Sequence, residues 1–277
     1  MYQQLSGRLG NQLFQWAYSH CLYDKYSIRT QLFYDKSHNG KNHLSILERN
    51  CSHCYEIKKM NSLGLLLKSI DRFASNRKIQ ELIYKFRIYR TYNSYEFPRL
   101  EFQKPFLISG FYINSSVVMK NEEILFSEIM STIIGLLDKK LIENKYQVFH
   151  LRRGDYLMSA SDYGCLSLKY YERERKNDMD VYLTTDEENI SKEIIDVLKP
   201  TKIFTPKNSN AWDALALMAF SENLVMANST LSWWGGFLAS KLGAVVIAPS
   251  PFYKNISVEE DAKLKNSRFI YREAIFD

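Results

Sequence analysis

Five short runs rich in β-branched and aromatic residues recur through the second half of the sequence: YQVFHLRR from Tyr146, DVYLTT from Asp180, KIFT from Lys202, NLVMA from Asn223 and AVVIAP from Ala244. Stretches patterned as helices separate them, near residues 166–176, 187–198, 211–220 and 231–242. Strands joined through helices cannot pair as hairpins; they run side by side in one direction, with the helices covering the faces. This βαβαβαβαβ order restricts the half to a doubly wound parallel sheet. Such a sheet receives ligands outside the carboxyl ends of its strands, so the residues just after each run are the ones to read for chemistry. The first half opens with one more βα unit, a strand over Met1–Ser6, and FLISGFY from Phe106 to Tyr112 reads as another strand. Its remainder is helix-rich and less regular. The change of pattern sets a boundary near residue 145, giving one domain over 1–145 and a second over 146–277.

The opening unit carries the string LSGRLGNQLFQWAYSHCLYDKY, from Leu5 to Tyr26. Leu13, Ala17 and Cys21 fall on one line at i, i+4 and i+8, with Phe14, Tyr18 and Leu22 beside them. That spacing predicts a helix from about Gln12, with Asn11 as its N-cap and Gly7 and Gly10 shaping the turn before it. A glycine-bracketed turn into a helix presents unpaired backbone N–H groups, the arrangement that receives a phosphate, and Arg8 adds a bidentate donor there. An ordinary capped βα turn fits the same residues.

The chain is 45% hydrophobic and 25% charged, the balance of a globular protein. No stretch approaches the length of a membrane span and no basic-then-apolar signal opens it, so a cytoplasmic protein is expected. Four cysteines, scattered, give no disulfide framework. The formal charge of +6 is uneven: up to Lys145 there are 21 basic against 13 acidic residues, and from Tyr146 onward 16 against 18. The excess is densest over residues 58–90, where nine Lys and Arg alternate with Leu, Ile and Phe. A basic amphipathic region of this kind suits an anionic membrane surface, or else forms a solvated helix pair packed on the protein's own core. No nucleic-acid-binding motif accompanies it, so nucleic acid is not expected as a partner.

Three stretches put donors and carboxylates at the ligand edge of the second half. HLRRGDY, from His150, ends its first strand with Arg152, Arg153 and Asp155; TTDE ends the next with Asp186 and Glu187; ANSTLSWWGG follows a third and opens a helix on Asn228, Ser229, Thr230 and Ser232. Adjacent arginines are costly to bury without an anion, and guanidinium geometry matches phosphate oxygens. Asp186 or Glu187 can accept from a base edge or ribose hydroxyls, and the Ser229–Ser232 helix start can hold phosphate oxygens. These features fit a nucleoside diphosphate. An ion-pair network for the arginines, and simple helix capping for Asp186 and Ser229–Ser232, stand as alternatives. Trp233 and Trp234 read as core residues in preference to a sugar platform. The Asp178–Asp180 Asp-x-Asp lies before its strand, at the amino edge, and His38, His43, Cys51, His53 and Cys54 match no zinc spacing, so no metal is expected. Neither a P-loop nor a dinucleotide fingerprint is present.

GRLGNQLFQ, HLRRGDY, VYLTTDE and ANSTLSWWGGFLA, in this order and at these spacings, resemble the bacterial α-1,2-fucosyltransferases. The resemblance covers the start of the chain and most of residues 146–250. One departure is Gly7-Arg8, where that family usually has Gly-Gly. The resemblance implies a GT-B-like α/β architecture, two Rossmann-like domains facing across a cleft, the first on the acceptor side and the second binding GDP-fucose. It implies an inverting enzyme acting on a galactose-terminated, lipid-linked oligosaccharide of O-antigen biosynthesis at the inner face of the membrane, and the paired arginines can stand in for a metal there. By it Arg152 and Arg153 meet the pyrophosphate, His150 and Asp186 hold guanosine, and Ser232 with the helix start from Asn228 adds phosphate contacts. The Gly7–Asn11 turn, with Arg8 and Gly10, would close over the donor. Asp155 is the first candidate for the acceptor's proton and His150 the second, or else Asp155 only orients Arg152 or Arg153. A non-catalytic nucleotide- or carbohydrate-binding protein, or a transferase using another nucleotide sugar, is the competing reading.

Overall fold

A computed structural model of the chain describes residues 1–34, 43–47, 54–59, 89–91, 107–137, 144–158, 160–255, 257–258 and 263–277. It divides into two compact units, Met1–Glu128 and Ile129–Asp277. The basic stretch over 58–90 lies outside the described residues, apart from 58, 59, 89 and 90. Among the described residues no helix is long and apolar enough to cross a membrane.

The first unit is built on a parallel sheet of β1 (Tyr2–Leu5), β2 (Thr30–Tyr34), β3 (Tyr55–Lys59), β4 (Tyr89–Thr91) and β5 (Leu107–Ser109), in the order β3-β2-β1-β5-β4. Helix α1 (Leu9–Tyr26) joins β1 to β2 and is buried from Leu9 to Leu22, with only Asn11 partly open in that span. It starts three residues earlier than the apolar spacing indicates: Arg8 is the N-cap, at φ −89° and ψ −179°, and Asn11 lies inside the first turn. The cause is a pair of buried amides. Gln12 donates to the Gly7 carbonyl at 3.0 Å, while Gln15 accepts from the Ser6 N–H at 3.0 Å and donates to the Gly110 carbonyl at 2.8 Å. These side chains satisfy the turn and let the helix begin directly after it. Gly7 sits at φ +73°, and a Cβ there would come within 2.6 Å of the Asn11 side-chain nitrogen. Only glycine fits that turn without strain. Ser27, in the left-handed region at φ 52°, ends α1. Two further helices follow β5, α2 (Ser115–Lys120), capped by Asn114, and α3 (Glu122–Ile133).

The second unit holds six parallel strands: β6 (Tyr146–Leu151), β7 (Asp180–Thr185), β8 (Lys202–Phe204), β9 (Asn223–Val225), β10 (Val245–Ser250) and β11 (Ile270–Glu273). Their order is β11-β10-β9-β6-β7-β8, so the chain winds outward to one side from β6 and then returns to wind outward from β9. The order reverses between β6 and β9, the place where a doubly wound sheet opens for a ligand. Helices α4 (Leu168–Glu172), α5 (Lys192–Leu198), α6 (Ala211–Ala219) and α7 (Thr230–Lys241) connect the strands. Ser191 caps α5, and Asn210 with Asp213 forms a capping box on α6. All six residues of β6 are buried, as a central parallel strand requires. Trp233 and Trp234 are fully buried, and the Trp233 indole donates to the Leu264 carbonyl at 2.7 Å, so both belong to the core. After β11 the chain runs back along residues 165–167, where the Asp277 N–H donates to Cys165 O at 2.9 Å and the Ser167 N–H to Ile275 O at 2.8 Å.

Candidate functional site

The register of β6 on β7 decides what meets at the ligand edge. His150 lies opposite Thr184 and Leu151 opposite Thr185, so the next residues, Arg152 and Asp186, leave the sheet side by side. Asp186 Oδ2 lies 3.2 Å from Arg152 Nη1. Its other oxygen accepts from the backbone N–H groups of Arg153 and Gly154 at 3.0 and 3.1 Å. The carboxylate therefore clamps the whole Arg-Arg-Gly bend. Gly154 makes this approach possible: a Cβ on it would lie 2.7 Å from Asp186 Oδ2. Burial alone would raise the Asp186 pKa, but the Arg152 charge and the two N–H donors outweigh it and hold the carboxyl below its ordinary value.

Both guanidinium groups are mostly enclosed, with 13% of the Arg152 side chain and 21% of the Arg153 side chain exposed. Asp155, in the short 3₁₀ turn Asp155–Leu157, places both oxygens within 2.9 Å of Arg152 Nη2. Arg153 faces Glu187 at 3.5 Å and Asp277 at 3.3 Å. Two arginines thus meet four carboxylates, the ion-pair network that stood as the alternative reading. The network does not exhaust the arginines, because each guanidinium carries five N–H donors and the ion pairs engage Nη1 and Nη2 of Arg152 and Nε and Nη1 of Arg153. An anion arriving at this edge finds directed donors already in place. Burial raises the Glu187 pKa, and Arg153 only partly offsets that.

His150 is 3% exposed. Its backbone carbonyl accepts from the Tyr171 hydroxyl at 3.0 Å, and its Nδ1 has no hydrogen-bond partner. Burial, reinforced by Arg152, pushes its pKa down to about 4 against the opposing pull of Asp186. The ring is neutral at physiological pH, a donor or acceptor rather than a charge.

Across the reversal point, β9 leads through Asn228 and Ser229 into α7. Asn228 is fully buried; its amide donates to the carbonyls of Tyr163 and Gly164 at 2.8 and 2.9 Å, and its Oδ1 is unpartnered. Ser229 is the N-cap of α7 without a side-chain cap bond, and Thr230 opens the helix. Ser232 is fully buried and its hydroxyl accepts from the Ala227 N–H at 3.0 Å, which fixes the bend into the helix. Gly7, Arg8, Gly10 and Asn11 belong to the first unit, where they make the turn into α1.

Sequence reading passed over Tyr156, whose hydroxyl donates to the Asn228 carbonyl at 3.1 Å, and Asp277. The first was visible as the last letter of HLRRGDY; the second had no local signal at all. The Asp-x-Asp aspartates are at the amino end of β7, where Asp180 accepts from the Thr201 hydroxyl at 3.1 Å. A surface depression of about 450 Å³ beside Lys145, Phe220, Glu222 and Leu242 is also at the amino ends of the strands, away from the arginines.

The chain matches the family model of glycosyl transferase family 11 over residues 2–271. It is 22% identical to the O-antigen biosynthesis glycosyltransferase WbnK of Escherichia coli, over 91% of this chain and 95% of that one. It is 23% identical to an Escherichia coli alpha-1,2-colitosyltransferase, over 91% of each chain. Among solved structures, a glycosyl transferase of family 9 from Veillonella parvula superposes over the whole of this chain and 87% of its own with a TM-score of 0.51, at 10% identity. That likeness shows the fold, an α/β architecture of the GT-B type. With the four motifs in register and the family match spanning nearly every residue, the chain belongs to glycosyl transferase family 11, the fucosyltransferase family, and is a glycosyltransferase.

Proposed function

We propose that the enzyme transfers L-fucose from GDP-β-L-fucose to O2 of a terminal galactose on a surface-polysaccharide or O-antigen unit, inverting the anomeric centre. The observation that carries this reading is the pair Arg152 and Arg153 at the end of the buried central strand, beside the reversal of the sheet, in a chain of family 11. The likeness to an O-antigen glycosyltransferase supports the acceptor class, and the likeness to a colitosyltransferase supports a 6-deoxy-L-galactose type of donor.

In this reading the acceptor hydroxyl attacks the fucose carbon opposite the leaving GDP and releases its proton to solvent. The carbon–oxygen bond to the β-phosphate breaks and negative charge gathers on that phosphate. Arg152 and Arg153 stabilise it through donors fixed before the reaction begins, which is where electrostatic catalysis gains most. His150, neutral and with Nδ1 unpaired, is assigned to the guanosine side together with Asn228. Asp186 orders the loop that carries the arginines, and Ser229 and Thr230 offer the α7 start to phosphate oxygens. Ser232 acts through the Ala227 bend. Asp155 acts on the reaction through Arg152, which both its oxygens contact. The arginines take the charge-neutralising part that a metal plays elsewhere, so we propose that turnover needs no metal.

The test is to incubate the purified enzyme with β-galactosides in excess EDTA, giving GDP-L-fucose in one series and GDP-colitose in another, and to map the product linkage by NMR. An α-1,2-fucosyl galactoside is expected. Preference for the colitosyl donor would reassign the sugar. Loss of activity in EDTA with recovery on manganese would return Asp178 and Asp180 to consideration.

A further inference from the structure

Besides the carboxylates of Asp155 and Asp186, the Arg152 guanidinium meets an aromatic ring, that of Tyr156. The guanidinium carbon of Arg152 lies 5.2 Å from the centroid of the Tyr156 ring, a cation–π distance. The hydroxyl of the same ring donates to the Asn228 carbonyl at 3.1 Å, joining the loop after β6 to the loop after β9 across 72 residues of sequence. Tyr163 is stacked on the same ring at 5.1 Å and 20°. The Tyr163 carbonyl in turn accepts from the buried Asn228 amide at 2.8 Å. Tyr156, Tyr163 and Asn228 therefore form a closed circuit of contacts, with Arg152 against the Tyr156 ring: the Asn228 carbonyl is tied to the Tyr156 hydroxyl and the Asn228 side chain to the Tyr163 backbone carbonyl.

We propose that Tyr156 is the positioning residue that sets Arg152 and locks it in register with the α7 start, so that the two sides of the reversal point present their donors together. This rests on the reading that the ligand edge receives a nucleoside diphosphate. The ring supplies a face for the guanidinium, and the hydroxyl supplies the tie to Asn228. Two substitutions separate these parts: Tyr156→Phe keeps the face and the stack but cuts the tie, and Tyr156→Leu removes all three.

Arginine-selective NMR of the unliganded enzyme reads the Arg152 Nε–H resonance. It is expected to stay in place in Tyr156→Phe and to lose its ring-current shift in Tyr156→Leu. Calorimetric titration with GDP then tests coupling. Tyr156→Leu should weaken GDP binding about tenfold in the wild-type background and less than about twofold in an Arg152→Gln background, because the residue acts through the arginine. A merely structural tyrosine would lower the melting temperature and weaken GDP equally in both backgrounds. That equality, or an Arg152 resonance indifferent to Tyr156→Leu, overturns the proposal. A wild-type enzyme that does not bind GDP would sink the donor reading, and the resonance would still decide the role of Tyr156.

Discussion

At the scale of single residues the arginines and the buried histidines make different demands. Arg152→Lys keeps the charge but not the planar fork, so its kcat is expected to fall by roughly two orders of magnitude while the melting temperature changes little. Steady-state kinetics beside a thermal melt reads both. Asp155→Asn keeps an oxygen for Arg152 but cannot take a proton; about a tenfold loss of kcat with an unaltered pH profile is expected if it works through the arginine. Disappearance of the acidic limb would instead make it the base. In the first unit, His20 Nε2 is 3.9 Å from Glu128 Oε1. Burial pushes His20 down to about 4 and Glu128 up to about 7, the latter against a hydrogen bond from Tyr55. Between pH 6.5 and about 4 the unfolded chain binds a proton that folded His20 refuses, so its contribution to stability is lost as pH falls; buried His150 adds to the same loss. Glu128 has the opposite sign: the folded carboxyl stays protonated up to about 7 while the unfolded one ionises near 4.5, so stability is lost as pH rises through that window. Glu128→Gln should accordingly melt a few degrees above wild type at pH 8 and lose that advantage by pH 5. Melting curves that keep a constant offset at every pH would contradict this.

At the scale of elements, strand ends carry the site and one glycine lets them close. In Gly154→Ala the new methyl meets Asp186 Oδ2 at 2.7 Å, and Asp186 cannot withdraw without releasing Arg152 and two backbone N–H groups. We expect about 1–3 kcal/mol of destabilisation together with a fall in turnover, read by denaturant melts and kcat. The second sheet was legible in the sequence because its inner strands are buried on both faces and so read as continuous apolar runs. Its chemistry was legible for a related reason: the first polar letters after each run are forced to the ligand edge, as Arg152, Asp186 and Asn228 all are. The first unit was harder. TQLFY and YEIKK mix polar and apolar residues without strict alternation, and YRT is three residues long, so β2, β3 and β4 gave no run to read. The start of α1 was misjudged because the spacing of apolar residues registers a helix only where it meets the core, whereas Gln12 and Gln15 organise the turn by hydrogen bonds that no periodicity reveals. Asp277 reaches Arg153 from 124 residues away, a separation at which local pattern is silent.

At the scale of the molecule, charge is as unevenly spread as chemistry. The net charge is +8 up to Lys145 and −2 beyond, from 21 minus 13 and 16 minus 18. An enzyme working on a lipid-linked acceptor at an anionic leaflet would use the basic half, at about 1 kcal/mol for each Lys or Arg near the surface. Co-sedimentation with anionic vesicles is expected at low salt, with release at high salt and loss when Arg72, Arg77, Lys78 and Lys85 are replaced by Gln, while activity on a small galactoside holds. Vesicle binding that survives the replacements would remove this stretch from the account. The burial of β6 along its whole length has a different kind of consequence. Backbone amides in such a strand exchange with solvent only when the whole unit opens, and Arg152 and Arg153 follow directly on that strand. Heat or denaturant should therefore find no intermediate regime in which this half of the protein keeps its fold but has lost its grip on anions. Loss of ligand binding and slow-amide exchange in β6 should share one transition, and donor affinity becomes a reporter of the folded fraction.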